Sequence, residues 1–185
     1  VSVLLLFGDN YVFARVDISD SVETQLSPLR DTRVQALERG AARVQTSVST
    51  LAVTPSVITA FDALTAGYAE VDAGLSAEEV AELEAAYAKA LEPLREVGLD
   101  VPPQSLVPAS GSGRFVQYQY IASNPDGFDD RDRLDDAGDG SDYTRAHAEY
   151  HPLLRSLMRN ASLSDLLFVD VDTGEVVYSV MKRID

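Results

Sequence analysis

The chain holds two histidines, His147 and His151, four residues apart in a run that also contains Tyr143 and Tyr150. On a helix, positions separated by four, seven or eight share a face, so these side chains form one polar-aromatic stripe. Two histidines at that spacing can also ligate a metal ion. The zinc-protease arrangement, however, needs Glu directly after the first histidine; Ala148 stands there and Glu149 follows one place too far. No third ligand falls at a familiar spacing. With no cysteine in the chain, thiolate metal sites and thiol nucleophiles are excluded. No Gly-x-Ser-x-Gly elbow presents a serine for acyl transfer. The stripe suits one wall of a small-molecule pocket, where aromatic faces bury a ligand and a few polar tips orient it. The competing reading is packing, in which the same side chains cover a sheet and bond to backbone groups.

An opposite wall is available downstream. Leu166–Val171 and Glu175–Lys182 alternate around Asp172-Thr173-Gly174, which predicts a hairpin with a short glycine-containing turn. Tyr178 and Lys182 then share one strand face and supply a hydroxyl and a cation. Tyr118 and Tyr120 complete the candidate ligand-binding set of Tyr118, Tyr120, Tyr143, His147, Tyr150, His151, Tyr178 and Lys182. Residues 126–142 carry eight aspartates, which raises the question of calcium. The nearest EF-hand alignment starts at Asp135 and fails at its third position, Ala137, and its twelfth, Ala146. A solvated acidic loop before a helix N-terminus is the default reading. No metal and no cofactor is expected.

The elements that position these residues follow from periodicity. Asp20–Leu51 predicts a long helix whose apolar positions, from Val22 to Leu51, step by three and four into a heptad-like seam. Asp20 and Glu23 fit a capping box, and Pro28 should kink the helix or mark its true start. So narrow a seam needs a partner helix, from this chain or from a second copy. A second helix covers Ser56–Tyr68. A third starts at the capping box Ser76-x-x-Glu79, with Leu75 set to staple against Val80, and runs to Val97 with Gly98 as its stop. Leu99–Gly113 reads as a proline-rich linker. Phe115–Ala122 alternates Gln117 and Gln119 with Val116, Tyr118 and Tyr120, which favours a strand, with a helix as the alternative. The stripe itself lies on a helix over Tyr143–Asn160, capped by Ser141 or Asp142. Pro152 implies a bend after His151 or a second helix beginning there.

Composition narrows the function. The 185 residues suffice for one domain, or for a helical lobe and a small α/β lobe. A formal net charge of −15 argues against nucleic acid, whose phosphates need clustered Lys and Arg, and against docking onto anionic lipid. Val1–Phe7 is apolar but too short to span a bilayer, which takes about 20 residues. By itself it reads as a short strand, a signal-peptide remnant, or the outer end of a membrane helix.

A set of separated motifs carries a family resemblance. These are Gln119-Tyr120-Ile121, Asn124-Pro125, Leu134-Asp-Asp-Ala-Gly-Asp-Gly-Ser141, Tyr143, His147, Tyr150-His151-Pro152, Arg155, Asp165-Leu-Leu-Phe-Val-Asp170, Thr173-Gly174 and Val177-Tyr-Ser-Val180. In this order they resemble the extracytoplasmic sensor region of bacterial transmembrane receptors with Cache-type (PAS-like) input domains, including chemoreceptors and adenylate/guanylate cyclases. Phe115–Asp185 carries the resemblance, and Asp20–Leu51 is similar to the long helix leaving the first membrane segment of such receptors. The resemblance implies that Val1–Phe7 is the end of that segment and that Asp185 is not a natural domain end.

The expected architecture is therefore α+β. Residues 1–18 are the lead-in, 19–110 a helical region, and 111–185 a Cache-like portion with an antiparallel sheet. The resemblance implies sensing of a small molecule outside the cytoplasm by a membrane-anchored parent, with homodimerisation through the long helix and no catalysis in this region. A protein-interaction or structural ectodomain is the alternative, and a metal-dependent hydrolase using His147 and His151 the weaker one.

Overall fold

The structure, a computed structural model, describes residues 10–71 and 74–183, with residues 10–27 described as backbone only. It is mostly helical with one small antiparallel sheet, an α+β arrangement. Val1–Phe7 lies outside the described residues. Among the described residues no single helix is long and apolar enough to cross a membrane. Two compact units divide between Ser49 and Thr50.

The first unit is helical. Helix α1 runs Asn10–Ala52 and continues through Pro28. Asp20 and Glu23 therefore do not start a helix; they sit inside one, because ten residues upstream already hold helical backbone. Pro28 lacks an N–H and costs one ladder bond, but helix on both sides carries the chain past it. Val34, Leu37, Val44 and Val48, members of the apolar seam, are exposed.

The second unit, Thr50–Asp185, holds the candidate site. Helix α2 spans Pro55–Glu70, with Pro55 at its start, where a missing N–H costs nothing. Its buried face, Val57, Ala60, Leu64, Gly67 and Tyr68, recurs at helical spacing and packs against α6, Asp142–Asn160. Gly67 permits the approach: a Cβ there would stand 2.7 Å from both Cα and N of Tyr143. Helix α3, Ala77–Ala90, begins at the expected capping box. Ser76 Oγ accepts from Glu79 N–H at 3.2 Å, and Glu79 Oε2 accepts from Ser76 N–H at 2.7 Å.

The third helix does not reach Val97 as one piece. Pro93 cannot donate into α3, so the chain breaks at Leu91 and a short α4 follows at Glu92–Glu96. Gly98, at φ +84°, then ends it: its N–H bonds Arg95 O and the Leu99 N–H bonds Leu94 O, a Schellman pair.

The region after the prolines departs from expectation. A 3-10 turn at Pro103–Leu106 leads to helix α5, Gly111–Gln117, and a π-helical turn, Tyr118–Ala122, where a strand is expected. Ser110 Oγ caps α5 by accepting from Gly113 N–H at 3.1 Å, and Ser112 Oγ donates to Val71 O at 2.8 Å. Gln117, Tyr120 and Ile121 stand three and four apart, so helical geometry turns them to one side. A strand would have set Gln117 against Tyr120 on opposite faces.

Helix α6 is capped by Ser141 Oγ, which accepts from Thr144 N–H at 3.1 Å. It runs through Pro152 without a break. An interior proline costs about 3 kcal/mol, but Tyr143 and Ala146 before it and Leu154 and Met158 after it are all buried along this helix. At about 1.5–3 kcal/mol for each buried apolar side chain, one uninterrupted helix wins. Strands β1, Leu167–Val169, and β2, Val176–Ser179, pair antiparallel with Phe168 opposite Tyr178 and a bulge next to Val169. Asp170 shapes the turn: its carboxylate accepts from Asp172 N–H at 2.8 Å, and Gly174 takes φ +75°. The expected second strand to Lys182 ends early, at Ser179.

Candidate functional site

Three stripe residues, Tyr143, His147 and His151, are buried along α6 and stack in sequence. The ring centroids of His147 and His151 lie 4.3 Å apart at 21°, and Tyr120 covers the other face of His147 at 4.2 Å. Each histidine bonds the main chain of the aspartate-rich loop. His147 Nδ1 is 2.7 Å from the carbonyl oxygen of Asp135. A carbonyl only accepts, so Nδ1 carries the hydrogen and Nε2 the lone pair. That Nε2 is buried and has no partner. By the same reasoning His151 Nε2 donates to the Asp132 carbonyl at 2.7 Å, and its Nδ1 accepts from the Tyr178 hydroxyl at 2.6 Å.

Burial, then the neighbouring His151 and Lys182, hold His147 well below the usual histidine range. Burial, with Lys182 next, pushes His151 down to about 3. Both imidazoles are neutral at neutral pH. Tyr143 donates to Val177 O at 2.9 Å. Thr144 Oγ1 donates to Asp139 Oδ2 at 2.7 Å, so the 3.0 Å contact between Tyr120 and Thr144 has the tyrosine as donor. Burial raises the hydroxyls of Tyr120, Tyr143 and Tyr178 above the ordinary tyrosine range, and all three stay protonated.

Lys182 is 4 % exposed, contrary to the usual fate of a lysine near a chain end. It does not sit on the β2 strand beside Tyr178. The chain has turned by then, and Lys182 takes φ +52°, a left-handed conformation a side chain rarely adopts. Ser179 Oγ accepts its N–H at 2.9 Å, and Arg131 Nη1 bonds its carbonyl at 3.5 Å, which fixes this backbone. Nζ lies 3.0 Å from His151 Nε2 and 5.6 Å from the Tyr120 ring centroid. The Nε2 hydrogen points to Asp132, so the amine meets an N–H rather than a lone pair. Among the described residues no carboxylate pairs with Nζ. Burial pushes Lys182 down to about 7, against the pull of Asp132, Asp135 and Asp165.

These groups surround a half-open cavity of about 60 Å³, lined in part by Gln117, Tyr120, Tyr143, His147, Tyr178 and Lys182. Gln117 Oε1 is buried without a partner, as is His147 Nε2. Unpaired buried acceptors cost about 1–3 kcal/mol each. Behind the cavity, Arg155 bonds the Asp132 carbonyl and Asp135 Oδ1, the latter at 2.9 Å, and Arg159 pairs with Asp132 Oδ2 at 2.6 Å.

Six of the eight sequence-derived residues thus meet: Tyr120, Tyr143, His147, His151, Tyr178 and Lys182. Two do not. Tyr118 faces α3, where its hydroxyl donates to Glu82 at 3.0 Å. Tyr150 is half-buried at the rim of the core, its hydroxyl beside Glu149. Sequence reasoning missed Gln117, which the strand pattern assigned to a polar face; its three-residue spacing from Tyr120 is the helical signal. It also missed Arg155 and Arg159, which continue the His147–His151 spacing by fours. Among the described residues no three His, Asp or Glu side chains come together as metal ligands. The Asp170–Gly174 pattern serves its own turn.

No protein-family model matches this chain, and neither a curated protein nor a solved structure matches it, so the arrangement stands on its own chemistry.

Proposed function

We propose that this chain is the ligand-sensing region of a bacterial transmembrane signalling receptor of the Cache type, placed outside the cytoplasm. The observation that carries this reading is the cavity of about 60 Å³ with unpartnered Gln117 Oε1 and His147 Nε2 and an uncompensated Lys182 around it. Of the four buried side-chain atoms without a partner among the described residues, Gln117 Oε1 and His147 Nε2 belong to the cavity wall, where an occupant can bond them, while Thr65 Oγ1 and Tyr87 Oη belong to residues away from it. The His151 lone pair accepts from Tyr178, whose hydroxyl burial holds far above the ordinary tyrosine range, and the His147 lone pair faces no hydroxyl among the described residues. This arrangement supports binding rather than catalysis.

The cavity is walled by three separate pieces: the turn at 117–121, α6 and the β2 end. An occupant bonded to all three favours one packing of them over others, by no more than its differential affinity for that packing. The exposed apolar seam of α1, with Val34, Leu37, Val44 and Val48, supports homodimerisation as the route by which that change leaves the domain. A nucleotide cyclase or chemotaxis module in the parent protein would receive it.

A thermal-shift screen against organic acids, amino acids, amines and divalent ions tests this. A ligand present at 100 times its Kd stabilises by about 2.7 kcal/mol, well within detection. If no small molecule raises the melting temperature while a protein partner does, the chain is an interaction domain and not a sensor.

A further inference from the structure

The cavity walls specify the chemistry of what they hold. Lys182 is a buried amine with no carboxylate paired to it among the described residues; Asp132, Asp135 and Asp165 act on it only from farther away. Among the described residues no Asp or Glu lines the cavity, whereas Lys182 and Arg183 both do. An anion is therefore welcome and an added cation is not. Separately, His147 Nε2 and Gln117 Oε1 are lone pairs without hydrogens to accept, both buried. They ask for a donor that is neutral, because an ammonium would sit among cations. Size sets the third constraint. A cavity of about 150 Å³ holds benzene; by proportion, 60 Å³ encloses two or three heavy atoms, and the open side admits a few more.

Resting on the sensor reading above, we propose that the ligand is a short hydroxycarboxylate of glycolate or lactate size, its carboxylate on Lys182 and its one hydroxyl hydrogen shared between His147 Nε2 and Gln117 Oε1 in a three-centre bond. Each of the three unsatisfied groups then gains a partner. Lys182 binds as the ammonium, so where it is neutral beforehand it takes one proton from solvent as the carboxylate arrives. The groups that face it are His151 and Arg155 of α6, Asp132 and Asp135 of the loop, Tyr178 of β2, Asp165, Arg131, and the Tyr120 ring. Of these only Lys182 changes charge near neutrality, since His151 is held far below it.

Calorimetric titration of the chain with glycolate, acetate, glycine and ethylene glycol, at several pH values from about 6 to 9, tests the assignment. Glycolate should bind, acetate roughly tenfold or more weakly for want of the hydroxyl, and glycine and ethylene glycol more weakly still. Glycolate affinity should fall as pH rises above neutrality, with proton uptake on binding. Lys182→Met should abolish glycolate binding while remaining folded. Gln117→Leu should weaken glycolate and leave acetate unchanged, which a merely structural role for Gln117 would not produce. Glycine or an amine binding as tightly as glycolate, or glycolate binding surviving Lys182→Met, overturns the proposal. If a different compound class stabilises the protein in the thermal screen, the hydroxycarboxylate assignment falls and the sensor reading stands; if nothing binds at all, both fall.

Discussion

Replacing Lys182 with methionine should stabilise the unliganded protein. Methionine fills the same buried space and takes away an ammonium that has no counter-ion. His151 loses nothing essential, because its Nε2 hydrogen still goes to the Asp132 carbonyl. Folding takes the lysine from an ordinary 10.5 to about 7. At about 1.36 kcal/mol per pKa unit, that difference costs wild type up to about 5 kcal/mol below neutral pH. Water penetration and relaxation around a buried charge reduce it, and a gain of roughly 2 kcal/mol for Lys182→Met is the working expectation.

The pH dependence separates charge from packing. Between about pH 7 and 10.5 the unfolded lysine holds a proton that the folded one has lost, so wild-type stability rises with pH there. The advantage of Lys182→Met should shrink accordingly, by roughly 1 kcal/mol between about pH 6.5 and 9.5. Urea unfolding of both proteins at the two pH values measures the difference, and titrating groups out of reach of Lys182 cancel in it. A methionine variant less stable than wild type at the lower pH, or an advantage that does not change with pH, would refute the reasoning.

Three further expectations are independent of any ligand. The two buried neutral histidines must charge on unfolding in acid: with His151 held at about 3 against an ordinary 6.5, stability is full above about pH 6.5 and falls toward pH 3, by about 2 kcal/mol at pH 5 from His151 alone. Urea midpoints across that range should show it, and a flat profile would contradict it. Gly67→Ala should destabilise by about 2 kcal/mol or more, since its Cβ meets Tyr143 backbone at 2.7 Å and neither helix can yield cheaply; thermal unfolding reads this directly. Tyr178→Phe leaves His151 Nδ1 buried without a donor, for a loss of about 1–3 kcal/mol in urea unfolding, whereas an unchanged midpoint would show that water replaces the hydroxyl.

Local chemistry was the legible part of the sequence. Ser76-x-x-Glu79, Ser141 before α6, Gly98 after α4 and the Asp170–Gly174 turn each act through bonds to residues within a few positions, so the pattern and the structure coincide. The long helix and the Tyr143–His147–His151 stripe were legible for the same reason, one periodicity being enough. What could not be read were outcomes decided by distant partners. Pro28 and Pro152 carry a local penalty, yet helix continues past each of them, and at Pro152 the buried Leu154 and Met158 outweigh it. Phe115–Ala122 alternates like a strand, yet it folds as helix because Tyr120 finds burial against α6 while Ile121 finds it against α3. Lys182 reads as a strand residue beside Tyr178 because nothing nearby in sequence reveals that the strand ends at Ser179 or that Arg131, fifty-one positions earlier, bonds its carbonyl.

The bonds from the two histidines to the loop have a consequence for how this protein can vary. His147 and His151, one helical turn apart, read carbonyl oxygens of Asp135 and Asp132, three residues apart. Carbonyls are common to every amino acid, so those two bonds accept any side chain at either loop position. They do not accept a change of length, because one inserted or deleted residue between 132 and 135 would move one carbonyl out of reach while the other stayed. Variation in this segment should therefore run to substitution at exposed positions such as Arg133, since Arg159 and Arg155 also hold the Asp132 and Asp135 carboxylates, and to insertion only before it, near the exposed Phe128 and Asp129. The helix acts as a ruler for the loop, and the acidic sequence that first draws attention there is not what sets its length.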